Sequence, residues 1–94
     1  MEDRINPAVQ PAATLYSKSS CSSCVAAKAM LDRLGVDYRL VDVSGDLDGM
    51  RRVAQLTGQV TLPQFVLGDE LIGGYDDLRL ALQNPRIREQ LLPA

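Results

Sequence analysis

The chain has 94 residues and a formal net charge of −2, with 46% apolar and 23% charged residues. This suits one small globular domain, whose packing must rest on Leu, Val, Ile and Ala because Tyr16, Tyr38, Tyr75 and Phe65 are the only aromatics. There is no basic run to support nucleic-acid binding and no apolar stretch long enough to span a membrane as a helix. Met1 to Pro11 lacks the charged-then-apolar layout of a secretory signal, which points to a reducing, cytoplasmic setting.

Residues 1–12 carry no periodic apolar pattern and read as a flexible tail, leaving 13–94 as the domain. Ala13–Ser17 reads as a short buried strand. Cys24–Leu34 has Ala27, Met30, Leu31 and Leu34 at the spacing of one helical face, and Gly35 is placed to end that helix in a left-handed conformation. Val36–Val43 alternates as a strand with one side better covered. Ser44-Gly45-Asp46 is a turn leading to a second helix over Leu47–Leu56, with Leu47, Met50, Val53 and Ala54 on its stripe and Thr57-Gly58 at its end. Gln64–Leu67 and Glu70–Gly73 flank the turn Gly68-Asp69 and form an antiparallel hairpin. Asp76–Gln83 is a short helix with Leu78, Leu80, Ala81 and Leu82 as its apolar contacts, and Pro85 starts a last helical turn or two through Leu91 or Leu92. The order β-α-β-α-β-β-α predicts an α/β fold, a four-stranded mixed sheet covered by helices.

The chemistry is concentrated at Cys21-Ser22-Ser23-Cys24, which holds both cysteines of the chain. A Cys-x-x-Cys pair where a strand passes into a helix reads as a thioredoxin-type redox site. The thiolate is the reactive form, and a helix N-terminus and a nearby cation, here Lys18, favour it. Three plainer readings compete. Structural zinc takes about four Cys or His ligands, and the chain has no His and no third cysteine. A structural disulfide across two intervening residues restrains little of the unfolded chain. A flexible serine-rich linker conflicts with the regular elements on both sides. The acids Asp42, Asp46 and Asp48 lack the ligand spacing of a calcium loop and read as a solvated turn.

Two further clusters bear on the pair. In Thr61-Leu62-Pro63 the proline cannot donate to a strand ladder, which frees the backbone before it to meet something else. The alternative is a plain strand-start proline, and its cis or trans state is not legible. In Gly73-Gly74-Tyr75-Asp76-Asp77 the glycines allow close backbone approach. Asp76 is placed to cap the following helix and Asp77 to sit in its first turn.

Taken together, Tyr16-Ser17-Lys18-x-x-Cys21-x-x-Cys24, Thr57-Gly58-x-x-Thr61-Leu62-Pro63-Gln64 and Ile72-Gly73-Gly74-x-Asp76-Asp77-Leu78 resemble the glutaredoxin family over about Ala13 to Leu82. The resemblance implies a thioredoxin-like fold and glutathione-dependent reduction of protein disulfides and glutathione mixed disulfides, in a monomer. It implies Cys21 as nucleophile, Cys24 as resolving thiol and Pro63 as a cis-proline beside them. It also implies that the backbone of Leu62, next to Thr61, pairs with the cysteinyl part of glutathione. Gly74, Tyr75 and Asp76 would hold the γ-glutamyl end, and Lys18 the glycine carboxylate. The sequence departs from the family in places. Ser22-Ser23 replaces the usual Pro-Tyr, and Tyr75 is a candidate to stand in for that missing aromatic. Gln59 and Val60 stand where a basic residue is often found, implying a weaker grip on the carboxylate. A serine after the first cysteine also brings the alternative of a [2Fe–2S] cluster shared by two subunits, ligated by two first cysteines and two glutathione thiols, in a carrier or sensor rather than an enzyme.

Overall fold

The computed structural model describes residues 12–91. The expected tail, apart from Ala12, lies outside the described residues, as does Leu92. Strand β1 (Ala13–Ser17) is followed by α1 (Ser22–Arg33), β2 (Arg39–Asp42), α2 (Leu47–Thr57), β3 (Gln64–Leu67), β4 (Glu70–Gly73), α3 (Tyr75–Ala81) and α4 (Pro85–Leu91). The sheet order is β2-β1-β3-β4. β1 runs parallel to β2 and antiparallel to β3, and β3 and β4 form the hairpin, with a register shift between Phe65 and Val66. This is the expected four-stranded mixed sheet flanked by helices.

Alternation along β1 sends Ala13, Leu15 and Ser17 inward, with Thr14 and Tyr16 half-covered. Ala13 and Leu15 join Phe65 and Leu67 of β3, Ala27 and Leu31 of α1, Leu78 of α3, and Leu82, Ile87 and Leu91 in one core cluster. Complete burial of a side chain the size of Leu15, Leu31 or Phe65 contributes about 1.5–3 kcal/mol.

The element boundaries differ from the sequence expectation for local reasons. α1 begins at Ser22, two residues earlier than expected, because the Cys21 side chain caps it by accepting the Cys24 N–H. At its other end Gly35 takes φ +74°, and the Val36 N–H donates back to the Leu31 carbonyl at 3.0 Å. That draws Val36 into the turn, so β2 starts only at Arg39. Leu34, expected on the buried face of α1, is exposed.

In α2 the covered stripe is Gly49, Val53 and Thr57, with Met50 and Ala54 half-buried, and the expected stripe residue Leu47 is 71% exposed. The helix approaches Val43 so closely at Gly49 that a Cβ there would lie 2.9 Å from the valine side chain and 2.6 Å from Asp46 Oδ2. Leu80, also expected to be covered, is exposed, as is Leu40 of β2.

The acid caps are distributed differently from expectation. α3 begins at Tyr75, and it is the Asp77 carboxylate that accepts the Gly74 N–H, at 3.2 Å. Asp76 therefore does not cap this helix. It sits in the first turn with its side chain exposed. Gly73, at φ +119°, makes the turn possible, because a Cβ on it would run into the Asp77 side chain.

Candidate active site

The parallel strand β1 ends at Ser17 and delivers the chain, through Lys18, Ser19 and Ser20, to the N-terminus of α1. Cys21 is the residue that straddles loop and helix. Its backbone is extended, its Sγ accepts the Cys24 N–H at 3.1 Å, and its carbonyl accepts the Val25 N–H at 3.1 Å. A sulfur thus takes the capping role usually filled by an oxygen side chain. Cys21 is partly exposed, while Cys24, one helical turn on, is fully buried, and the two thiols are free. Burial pushes the Cys24 thiol above its ordinary range, and its interaction with Cys21 adds to the rise. Cys24 is therefore held as a neutral thiol behind the exposed sulfur.

Facing Cys21 is the loop before β3. The Leu62–Pro63 peptide bond is cis, and the Cys21 thiol donates to the Leu62 carbonyl at 3.7 Å. Pro63 is buried and Gly74 approaches it closely: a Cβ on Gly74 would stand 3.6 Å from the Pro63 carbonyl oxygen. The two loops are therefore adjacent despite their separation in sequence.

Each loop is braced. The Ser44 hydroxyl accepts the Ser19 N–H at 2.8 Å, while Asp42 accepts the Ser44 N–H at 2.8 Å. The Ser44 side chain, and after it the Ser44 backbone N–H, hold the Asp42 carboxyl below its ordinary range. Asp46 caps α2 by accepting the Gly49 N–H, and Asp48 pairs with Arg51 at the surface. The acids of this region thus each have a local structural partner. Among the described residues no three metal-ligating side chains converge.

A cleft of about 450 Å³ opens at Cys21, walled by Lys18, Thr61 and Leu62, and by Ser20, Ser22, Ser23, Met50 and Val60. Lys18, Cys21, Thr61 and Leu62 are thus brought together around one cleft. Cys24 and Pro63 lie behind this wall. Gly74, Tyr75 and Asp76 do not line the cleft: Gly74 lies beside the Pro63 carbonyl as the N-cap of α3, and Tyr75 and Asp76 are the first residues of that helix. Tyr75 is half-buried and packs against the core cluster.

Met50 and Val60 were missed as wall residues. Helical spacing puts Met50 on the core stripe of α2, and it is half-buried at the edge of that stripe, where it reaches the cleft. Val60 is 72% exposed, and its signal was an apolar residue in a polar loop just before Thr61.

A partly exposed thiol at a helix N-terminus, a buried partner thiol three residues on and a cis-proline opposite define a thiol redox protein of thioredoxin-like fold. The glutaredoxin family model matches residues 13–72, and the chain belongs to the glutaredoxin family, whose members are thiol-disulfide oxidoreductases. It is 33% identical over 84 residues to a glutaredoxin of Pseudomonas aeruginosa, covering 89% of this chain and 99% of that one. It is 38% identical over 73 residues to glutaredoxin-C6 of Oryza sativa subsp. japonica, covering 74% of this chain but 64% of the rice protein. Among solved structures, a buckwheat glutaredoxin–glutathione complex superposes with a TM-score of 0.74 at 28% identity, over 85% of this chain and 76% of that one.

Proposed function

We propose that the protein reduces glutathione mixed disulfides and protein disulfides through Cys21, with glutathione as electron donor. The observation that carries this reading is the division of labour between the thiols. Cys21 Sγ opens into a cleft walled by a cation and by the Thr61–Leu62 backbone, while Cys24 is buried and protonated behind it. The glutathione bound in the buckwheat relative supports the choice of donor.

In the first step the Cys21 thiolate attacks the glutathione sulfur of a mixed disulfide. The old S–S bond breaks, the protein thiolate leaves and takes a proton, and Cys21 carries the glutathione. The exposed Lys18 ammonium at the rim of the cleft is the group to meet a carboxylate of the bound tripeptide. The backbone of Leu62, whose carbonyl is released when Cys21 gives up its proton, meets its cysteinyl part, and Asp76, exposed in the first turn of α3, meets its amino group. A second glutathione thiolate then attacks the sulfur of the bound glutathione, releasing glutathione disulfide and the Cys21 thiolate. With a protein disulfide as substrate, Cys24 loses its proton and attacks Cys21 instead. This closes Cys21–Cys24 and frees the second protein thiol, and two glutathiones reopen the bond. Such a cycle runs in a reducing compartment, and we assign the protein to the cytoplasm on that ground.

A [2Fe–2S] cluster is held by four sulfur or equivalent ligands. Each chain offers one accessible thiol among the described residues, Cys21, because Cys24 is completely buried. A cluster would therefore need Cys21 from each of two subunits and two glutathione thiols; one chain alone does not supply the set, and no step is derived through it.

The test is turnover of a glutathione mixed disulfide coupled to glutathione reductase and NADPH. Wild type and Cys24→Ser should both turn over, because the monothiol route needs Cys21 alone, and Cys21→Ser should be inactive. Activity retained by Cys21→Ser, or absent from wild type, overturns the reading.

A further inference from the structure

Gln64 is the first residue of β3, 1% exposed, and paired with Tyr16 of β1. Its amide nitrogen donates to the Thr61 carbonyl at 3.0 Å and to the Thr61 hydroxyl at 3.3 Å. Its own carbonyl oxygen, Oε1, is buried and has no hydrogen-bond partner among the described residues. The orientation follows from chemistry: a backbone carbonyl can only accept, so the NH2 end must face Thr61. One end of this side chain is thus committed twice to a single residue, and the other end is left unsatisfied.

A buried acceptor without a partner is destabilising, and an apolar side chain of the same length would avoid that cost. Packing alone therefore does not account for a glutamine here. The residue it grips does. Thr61 is followed directly by Leu62, whose carbonyl lies against Cys21 Sγ, and both line the cleft. Because Thr61 is itself exposed, the bonds from beneath are what fix its carbonyl.

We infer that Gln64 is a positioning residue: through Thr61 it sets the orientation of the Leu62 backbone at the cleft, and thereby the fit of the glutathione part of the substrate. It touches no reacting atom. The inference rests on the reductase reading above, and the experiment separates the two.

Kinetics and thermal unfolding are measured for wild type, Gln64→Met, Thr61→Val, the double variant and Gln64→Glu. In Gln64→Met, kcat/KM should fall about tenfold, the size of one or two lost hydrogen bonds, and the loss should lie in KM because a positioning bond serves ground and transition states alike. Its melting temperature should be equal to or above that of wild type. The effects of Gln64→Met and Thr61→Val should be less than multiplicative, since they remove a shared bond. Gln64→Glu, if it folds, should regain activity relative to wild type as pH falls, because only a protonated carboxyl can donate to Thr61. The inference is overturned if kcat/KM of Gln64→Met stays within about twofold of wild type, or if its loss tracks a lowered melting temperature. If wild type itself does not turn over, the reductase reading fails. The positioning claim is then decided by NMR: Gln64→Met should shift the Thr61 and Leu62 amides, and unmoved amides overturn it.

Discussion

The hydroxyl of Ser44 lies 2.8 Å from the backbone nitrogen of Ser19 and accepts its N–H. These residues are 25 positions apart in sequence, and the bond fastens the loop after β2 to the loop that carries Cys21. The Ser44 hydroxyl also lies 3.1 Å from the Ser19 hydroxyl. Ser44→Ala should therefore lower stability by about 1 kcal/mol, the net worth of an ordinary hydrogen bond. For a domain of this size that is about 4–8 °C in melting temperature. Thermal unfolding measures the loss, and hydrogen exchange should show faster opening at Ser19. An unchanged melt together with unchanged exchange would remove the brace from the account.

The buried thiol makes a second prediction. In Cys21→Ser, alkylation of Cys24 by iodoacetamide should be slow in the folded protein at neutral pH. Its rate should still be climbing above pH 9.0, the ordinary thiol value, because burial is the largest cause of its upward shift and survives the substitution. Unfolding in denaturant should accelerate the reaction on the order of a hundredfold, since exposure then removes the protection. Rapid alkylation of the native variant at pH 7 would contradict the assignment of Cys24 as a withheld thiol.

The third concerns alkaline pH. Partial burial and the hydrogen bond from the Tyr38 hydroxyl to Asp32 at 2.9 Å push the phenol up to about 12 from an ordinary 10.0. Between those values the unfolded chain has lost this proton and the folded chain keeps it. The folded state then binds more protons, so stability falls as pH rises. The contribution is complete below pH 10 and is lost as pH climbs through 12. Urea unfolding at pH 9 and pH 11.5 should show a larger decrease for wild type than for Tyr38→Phe. Equal decreases would show that Tyr38 does not contribute to the alkaline loss.

The strands β1, β3 and β4 were legible to the residue because each is a short apolar run bounded by clear turn signals. β2 is shorter than alternation through Val36 to Tyr38 suggests, because the left-handed Gly35 returns the Val36 N–H to the Leu31 carbonyl and so keeps Val36 in the helix end. Leu47 and Leu80 were assigned to covered faces by spacing alone. Spacing gives the angle of a side chain around its helix but not which neighbour covers it, and in α2 the point of closest approach is Gly49, which has no side chain to signal it. Asp76 and Asp77 were equally good caps by residue type. The glycine turn at Gly73 moved the helix start by one residue and so gave the cap to Asp77.

The sequence by itself determined the chemistry available to this protein. It contains one Cys-x-x-Cys pair at a strand-to-helix junction, a Thr-x-Pro loop and a Gly-Gly helix entry, and the residue order of those motifs identifies the family. Only the tertiary structure decided which thiol faces the cleft, that Met50 and Val60 form part of its wall, that Tyr75 packs half-buried against the core, and that Gln64 holds Thr61 from beneath. Each of those depends on segments distant in the chain meeting across the sheet. Local propensity and periodicity describe an element and its faces, whereas burial and hydrogen-bond partners are set by what the rest of the fold brings against it.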